Sequence, residues 1–302
     1  MSAAPSLDTS SPGSRAVGGS PAERHSTPVD GVEVVGALSP SRAGDFMTCP
    51  LLYRFRTIDK LPEPLSPDAV RGTVVHKVLE DLFDLPAVER TAVRAEQMLE
   101  PAWHRLVETE PGLAALLDEE SEVDAERWWA SCRTVLERYF TLEDPTRLEP
   151  AERELYVEWL LESRLLLRGF VDRVDVAPDG AIRVVDYKTG RAPGPQFEAK
   201  ALFQMKFYGL VLWRTRGVLP AMLQLVYLGS GEVLRYVPDE HDLLATERKV
   251  QAVWEAISRA TAEQDWRPNR GPLCSWCAHQ ALCPAWGGTP PPLPGAAPAA
   301  AT

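Results

Sequence analysis

The sequence lacks any apolar run close to the roughly 20 residues that a membrane-spanning helix requires. Its first residues also lack the basic, then apolar, then small pattern of a secretory signal peptide. We therefore expect a cytoplasmic protein with no membrane partner. The chain contains no G-x-x-x-x-G-K-[ST] loop, which excludes a P-loop motor of the helicase type. Any step that needs such a motor would have to come from a partner protein.

Cysteine is scarce, with five residues in 302. A reducing compartment disfavours a disulfide framework for so few thiols. Three of them nevertheless crowd into ten residues, as Cys274, Cys277 and Cys283. This spacing indicates a metal ion or a metal cluster.

The chain lacks an excess of positive charge, since its formal net charge is −11. Phosphate binding needs lysine and arginine, so the total argues against a nucleic-acid partner. The distribution changes that conclusion. Residues 81–130 hold thirteen acidic side chains against four arginines, whereas residues 180–216 hold seven basic side chains against two acids. The acidity is concentrated away from the candidate site described below.

The pattern along the chain predicts one mixed α/β domain between two tails. Residues 1–36 and 287–302 are rich in Ser, Pro, Gly and Ala, and we expect both to be disordered. Ser39 as a cap, followed by Pro40, predicts a helix that runs to Phe46. Apolar spacing of three and four predicts a helix at 70–83, and helical patterns continue in an insertion over 87–143. A period of two predicts three adjacent strands at 152–161, 165–176 and 181–188. Another helix (196–216), a hairpin (221–237) and a long helix (241–264) follow.

The turn Pro178-Asp179-Gly180 predicts a hairpin in which Asp172 lies opposite Asp186. Side chains so opposed are about 4.5 to 5.5 Å apart at Cβ, and like charges there are destabilising. The pair therefore calls for a cation. Strand alternation places Lys188 on the same face as Asp186.

Two aspartates and a lysine on one face suit hydrolysis of a phosphodiester. A divalent ion lowers the pKa of a bound water and polarises the phosphate, and a lysine can steady the developing charge. A register slip of one residue would move Asp172 to the other face. Both aspartates could also be exposed strand residues in surface ion pairs.

These segments resemble the RecB-type PD-(D/E)XK nucleases. The similar motifs, in family order, are Gly169-Phe-Val-Asp172-Arg-Val-Asp, Val184-Val-Asp186-Tyr-Lys188-Thr-Gly, Gln204-Met-Lys-Phe-Tyr208 and the upstream Arg71-Gly72-Thr-Val-Val-His76. The resemblance implies a restriction-endonuclease-like mixed sheet flanked by helices, over residues 37–286.

The same resemblance implies roles for individual residues. His76, Asp172 and Asp186 would bind Mg or Mn, with the Tyr187 carbonyl as a further ligand, and Lys188 would assist catalysis. Gln204 and Tyr208 would lie on one helix face, positioned for DNA or for ordering the site. For His76 a core histidine, and for Gln204 a solvated helix face, are the alternatives. The family often has an acid on the preceding strand, where Glu154 competes with Glu152 and Glu158.

The cysteines of residues 265–286 need a fourth ligand, because the set is too compact for a zinc finger of two paired knuckles. Together with Cys49, they resemble the iron-sulfur staple of AddB-type and CRISPR-adaptation nucleases, which implies a 4Fe-4S cluster on Cys49, Cys274, Cys277 and Cys283. A zinc site is the alternative, with all four thiolates or with His279 replacing Cys49. Cys132 is interpreted as a small buried hydrophobe.

The sequence therefore predicts a metal-dependent DNA exonuclease of DNA repair or recombination, acting on DNA ends or single strands. A helicase or another subunit of a recombination complex would be its protein partner. The alternative is a non-catalytic DNA-binding or assembly subunit of a recombination or CRISPR complex. A binding module has no need of clustered acids that face phosphate, which favours the enzyme.

Overall fold

A six-stranded mixed sheet forms the centre of the computed structural model, which describes Val29 and residues 31–294. The strand order is β1-β3-β4-β5-β6, and β2 pairs with the other edge of β3. The strands are β1 (Gly36–Leu38), β2 (Glu152–Leu160), β3 (Leu165–Val176), β4 (Ile182–Lys188), β5 (Met222–Tyr227) and β6 (Glu232–Tyr236).

Eight α-helices surround the sheet within the described residues. They are α1 (Pro40–Thr48), α2 (Pro50–Tyr53), α3 (Pro67–Leu82), α4 (Ala92–Gln97), α5 (Leu99–Thr109), α6 (Ala125–Leu142), α7 (Pro195–Arg216) and α8 (Glu240–Glu263). The start of α1 is where the sequence predicts it, because the Ser39 side chain accepts a hydrogen bond from the Arg42 amide and Pro40 occupies the first turn. A π-helix, Arg54–Ile58, follows α2.

The hairpin of β3 and β4 has the predicted register. Gly180 has φ +86° and the Asp179 carboxylate accepts a hydrogen bond from the Ala181 amide, which closes the turn. Arg173 then pairs with Val185, so no slip has occurred. The ladder ends at this pair, one step before Asp172 and Asp186. The two aspartates therefore lie where the strands begin to separate.

The long strand β3 is shared by two neighbours on one edge. Its first residues pair in parallel with β1, and its last residues pair with β4 on that same edge, since β2 occupies the other edge throughout. Residues 168–172 have no partner on this edge among the described strands. This gap in the sheet is the place where the candidate site forms.

Two apolar cores cover the two faces of the sheet. One holds Leu38, Leu165, Val184, Met205 and Leu243, and so joins the sheet to α7 and α8. The other packs α3, α5 and α6 against side chains of β4 and β5. The helical insertion predicted for residues 87–143 thus supplies a structural layer of the domain.

Two features differ from the prediction. Strand β1 was not predicted, because three residues are too short to show a period. The disorder predicted for 1–36 and 287–302 falls partly outside the described residues. Where these segments are described, Val34 is buried in a small cluster with Leu166, and Leu293 packs on the main core. Composition over a long window does not reveal such single apolar anchors.

Among the described helices, none is long and apolar enough to cross a membrane.

Candidate functional site

The candidate site lies at the gap in the sheet, where β2, β3 and β4 meet α3 and α7. Asp172 comes from β3 and Asp186 from β4. The Asp172 carboxylate accepts a hydrogen bond of 2.6 Å from the Tyr187 amide. This bond replaces the next step of the ladder and ties the two aspartate-bearing strands together where they separate.

His76 reaches the site from α3. Its Nδ1 lies 3.5 Å from Asp172 Oδ2 and 4.0 Å from Glu154 Oε1, and its Nε2 lies 2.9 Å from the Tyr187 carbonyl oxygen. Val74, Val75 and Val78 bury the apolar face of α3, which fixes the helix against the sheet. The ring therefore faces acids and a carbonyl, and is not a histidine of the apolar core.

Glu154 is the acid of β2 that joins the site. His76, Glu154 and Asp172 offer ligand atoms that all lie within 4.8 Å of one another. Of the two competing acids, Glu152 pairs with Arg216 at 3.2 Å, and Glu158 accepts a hydrogen bond from Tyr156.

The Glu154 backbone has φ +43°, a conformation that costs free energy for a residue with a side chain. It interrupts the pairing of β2 with β3 between Arg153 and Leu155. No sequence signal marks such a local distortion. The sequence alone therefore could not show which of the three glutamates of β2 joins the site.

Crowding of the carboxylates changes their protonation. Burial and the nearby Asp172 charge raise the pKa of Glu154 to about 7 and that of Asp186 to about 6. Burial alone would lower the pKa of His76, but Asp172 and the other acids raise it to about 9. Near neutral pH His76 is therefore protonated and Glu154 is partly protonated. A bound cation would relieve the repulsion among the carboxylates in place of these protons.

The donors fit a hard divalent ion. Carboxylate oxygens, a backbone carbonyl and one imidazole are ligands that Mg²⁺ and Mn²⁺ accept, while thiolates are absent from this set. Glu154 joins the predicted ligands His76 and Asp172 in the compact group. Asp186 lies beside it, close enough for its charge to raise the pKa of His76.

Lys188, Gln204 and Tyr208 surround Asp186. Lys188 Nζ lies 2.6 Å from Asp186 Oδ2, and Gln204 Nε2 donates to Asp186 Oδ1 at 2.9 Å. Gln204 Oε1 accepts from Lys188, and its Nε2 lies 3.4 Å from the Tyr208 hydroxyl. Gln204 of α7 thus contacts both the carboxylate of Asp186 and the amine of Lys188, and Tyr208 lies on the same face of the helix.

The chain was compared with known proteins. A model of the PD-(D/E)XK nuclease superfamily matches residues 37–284. The chain belongs to the PD-(D/E)XK nuclease superfamily. Asp186-Tyr187-Lys188 has the Asp-x-Lys spacing that the family's name describes, and it lies at the candidate site.

Two relatives extend this finding. The Gene 69 protein of Mycobacterium phage D29 is 27% identical over 209 residues, which covers 60% of this chain and 70% of that protein. A crystal structure from Eubacterium rectale, described as a "putative exonuclease", matches with a TM-score of 0.53 and 12% identity. It covers 80% of this chain and 87% of that one, and it shows the likeness of the fold.

A buried ion-pair network behind the site was not predicted. Arg173 is fully buried, donates to both carboxylate oxygens of Glu143 at 2.7 and 2.9 Å, and lies 3.1 Å from Asp175. It also donates to the Tyr187 hydroxyl. Sequence alone shows Arg173 as a strand residue of alternating pattern and gives no sign of its partner at the end of α6.

The four cysteines of the predicted cluster line one cavity of about 430 Å³. The Asn269 amide donates to Cys49 Sγ at 3.3 Å, so the segment that follows α8 meets the end of α1. Their sulfurs do not form a group within 4.8 Å of one another in the part of the chain described, and an iron-sulfur staple is not shown.

The alternative ligand His279 and the remaining cysteine, Cys132, lie outside this cavity. His279 is buried and its Nε2 lies 2.8 Å from Glu63 Oε1, so its imidazole does not line the cysteine cavity. Cys132 is fully buried in the second core, as expected, and burial raises the pKa of its thiol to about 12.

Proposed function

We propose that the protein is a Mg²⁺- or Mn²⁺-dependent deoxyribonuclease of the RecB type. Its reaction would be hydrolysis of phosphodiester bonds at DNA ends or in single strands, as an exonuclease of repair or recombination. The observation that carries the proposal is the compact group of His76, Glu154 and Asp172 beside the Asp186–Lys188 ion pair. The Eubacterium rectale protein of similar fold is itself described as a "putative exonuclease", which is consistent with the proposal.

In this proposal the divalent ion would be held by four side chains, those of His76, Glu154, Asp172 and Asp186. The Tyr187 carbonyl would be a further ligand. When bound, the ion supplies Lewis-acid activation of the phosphate and of a water molecule. Lys188 stabilises the negative charge that develops on the phosphate oxygens. Its Nζ is already placed beside Asp186, so it needs no large movement to reach a phosphate held there.

Gln204 acts as a positioning residue. Its amide nitrogen holds Asp186 and its amide oxygen holds Lys188, which fixes the distance between acid and amine. Tyr208 supports Gln204 from one helical turn further along α7. Asparagine in place of Gln204 is one methylene shorter and would not span both groups.

We also propose that Cys49, Cys274, Cys277 and Cys283 ligate a 4Fe-4S cluster. The support is the donor set itself, four free thiols on one cavity whose volume exceeds the space that a single ion fills. The cluster would join two segments more than two hundred residues apart and so act on stability. Zinc on the four thiolates is the competing occupant.

A cleavage assay tests the nuclease. End-labelled single- and double-stranded DNA is incubated with anaerobically purified protein and Mg²⁺ or Mn²⁺. The variant Asp186→Asn keeps the side-chain shape and removes the charge, so we expect cleavage to fall by more than about 100-fold. Asp179→Asn makes the same exchange in the turn of the same hairpin, outside the site, and should cleave as the wild type does.

Two outcomes would contradict the proposal. Unchanged cleavage by Asp186→Asn would move the activity to another site or to a contaminant. Absence of cleavage by the wild type, with DNA still bound, would favour a non-catalytic subunit of a recombination complex.

A further inference from the structure

An open groove of about 1090 Å³ adjoins the candidate site. Gln204 and Tyr208 form part of its wall, and Gln204 also contacts Lys188 and Asp186, so this side chain joins the groove to the candidate site. It also contains the start of α1 and the strands β2 and β3. The proposed function does not use most of this surface.

Two aromatic rings stand exposed on the sheet side of the groove. Tyr156 of β2 and Phe170 of β3 are directly opposed in the strand register, with ring centroids 5.2 Å apart. Although the rings contact each other, 45% of Tyr156 and 56% of Phe170 remain exposed. The rings are tilted by 54° to each other, and among the described residues each remains partly accessible from the groove.

Phe170 stands between the groove and the candidate metal ligands. It lines the groove and also a second cavity of about 520 Å³, whose other walls include His76 and Glu154. Phe170 and Asp172 lie two residues apart on the same face of β3, which is about 7 Å along a strand. That separation is similar to the reach from a nucleotide base to its own phosphate.

The charge of the groove is opposite to that of the chain. Arg42, Arg168 and Lys200 line it. Asp45 is the one acid among its described lining residues, and it is paired with Arg56 at 2.8 Å. A chain of net charge −11 thus presents a basic surface beside its candidate catalytic acids, where it complements a phosphate backbone.

We propose that the Tyr156–Phe170 pair, hereafter the aromatic platform, stacks the bases of single-stranded DNA and so places a phosphate at the metal ligands. This inference rests on the proposed nuclease function and names its substrate as an unpaired strand. In a duplex each base is already stacked and paired, so only a single strand or a frayed end can offer a base to the platform. The arginines and the lysine follow the backbone while the rings hold the bases.

A ring that only fills space between two strands would behave differently. Cross-strand apolar packing is satisfied by leucine, whereas base stacking needs a flat aromatic face. The series Phe170→Trp, Phe170→Leu and Phe170→Ala therefore separates the two roles. The exposed position of Phe170 makes all three compatible with folding, which thermal unfolding would verify.

The test measures binding and cleavage separately. Binding of fluorescein-labelled oligo-dT and of a blunt duplex is followed by anisotropy in the Asp186→Asn background, so that no substrate is consumed. We expect Phe170→Leu and Phe170→Ala to weaken oligo-dT binding by about 10-fold or more, and Phe170→Trp to retain it. Blunt-duplex binding should change little in all three. Val176→Ala removes another exposed apolar side chain of β3 outside the groove and is the matched control.

The outcomes distinguish this inference from the proposed function. Equal oligo-dT binding by the wild type, Phe170→Leu and Phe170→Ala would overturn the aromatic platform even if metal-dependent cleavage is present. Tighter binding of a single-stranded RNA than of DNA of the same sequence would overturn the assignment of the substrate as DNA. If the wild type does not cleave DNA, the proposed nuclease function is contradicted. The oligo-dT binding of the Phe170 variants would then still show whether the aromatic platform binds bases.

Discussion

His76 and Glu154 set the relation between protons and metal in the site. Imidazole binds a metal ion in its neutral form and glutamate binds it as the anion. In the absence of metal the pKa of His76 is about 9, because Asp172 and the other acids outweigh its burial, and that of Glu154 is about 7. A metal ion must therefore displace protons near neutral pH.

We expect the affinity for Mn²⁺ to rise between pH 6.5 and pH 9 and to level off above that, as both groups lose their protons. His76→Gln should bind Mn²⁺ more weakly and with a shallower pH dependence. Calorimetry in two buffers of different ionisation enthalpy measures the affinity and the protons released. His104→Gln, an exposed histidine on α5, should leave both unchanged. An affinity that does not vary with pH would contradict this protonation state.

At the scale of single residues, the sequence indicated most of the site. The hairpin turn and strand period placed Asp172, Asp186 and Lys188 on one face, and helical spacing paired Gln204 with Tyr208. Glu154 could not be chosen among three glutamates, because its role depends on a left-handed backbone that local propensity opposes. Phe170 was not predicted to be exposed, since an apolar strand residue normally faces a core.

At the scale of elements, α6 supports the strands of the site through its last turn. Glu143 ends α6 and pairs with Arg173 of β3, which in turn contacts Tyr187 of β4. Burial alone would raise the pKa of Glu143, but the bonds and charge of Arg173 lower it. The helical insertion is thus connected to the strand that carries Asp186.

We expect Glu143→Ala to reduce the free energy of unfolding by about 3–5 kcal/mol, because it leaves the Arg173 charge buried without its main partner. Urea unfolding measures the loss. Glu149→Ala is the matched control and should cost much less, since Glu149 is exposed and its partner Arg90 keeps backbone carbonyls as acceptors. If both variants lose the same free energy of unfolding, the expected cost of leaving the buried Arg173 without Glu143 would be contradicted.

The elements that could be predicted from sequence are the long ones, in which a regular apolar pattern repeats several times. The strands β2 to β4 and the helices α3, α7 and α8 agree closely with the predicted ranges. The parallel pairing of β4 with β5 was not predicted, because it joins segments separated by the whole of α7. Which helices cover which face of the sheet also depends on such distant contacts, and no local pattern encodes them.

At the scale of the whole molecule, the segment that follows α8 returns to the beginning of the domain. Trp266 is buried and stacks on Tyr53 with ring centroids 5.9 Å apart. Asn269 donates to the Thr48 carbonyl and to Cys49. The two segments are therefore already packed together by side chains, and a cluster on the cysteines would strengthen an existing contact.

For the proposed cluster, Cys49→Ser should remove the brown chromophore and lower the melting temperature, because one of four thiolates is lost. Cys132→Ser should retain the iron, since a buried thiol with a raised pKa is not available as a ligand. Iron content after anaerobic purification and the visible spectrum provide the measurement. Full iron content in Cys49→Ser would exclude Cys49, and zinc in place of iron in the wild type would favour the competing occupant.

The residues that meet at the gap in the sheet are far apart in the chain, from His76 to Tyr208. A chain is synthesised from its N-terminus, and contacts between distant segments form only when both have been made. A partly synthesised chain that ends before β4 has His76, Glu154 and Asp172 but neither Asp186 nor Lys188. The candidate site therefore cannot be complete, and the proposed activity cannot appear, before α7 has been synthesised and packed on the sheet.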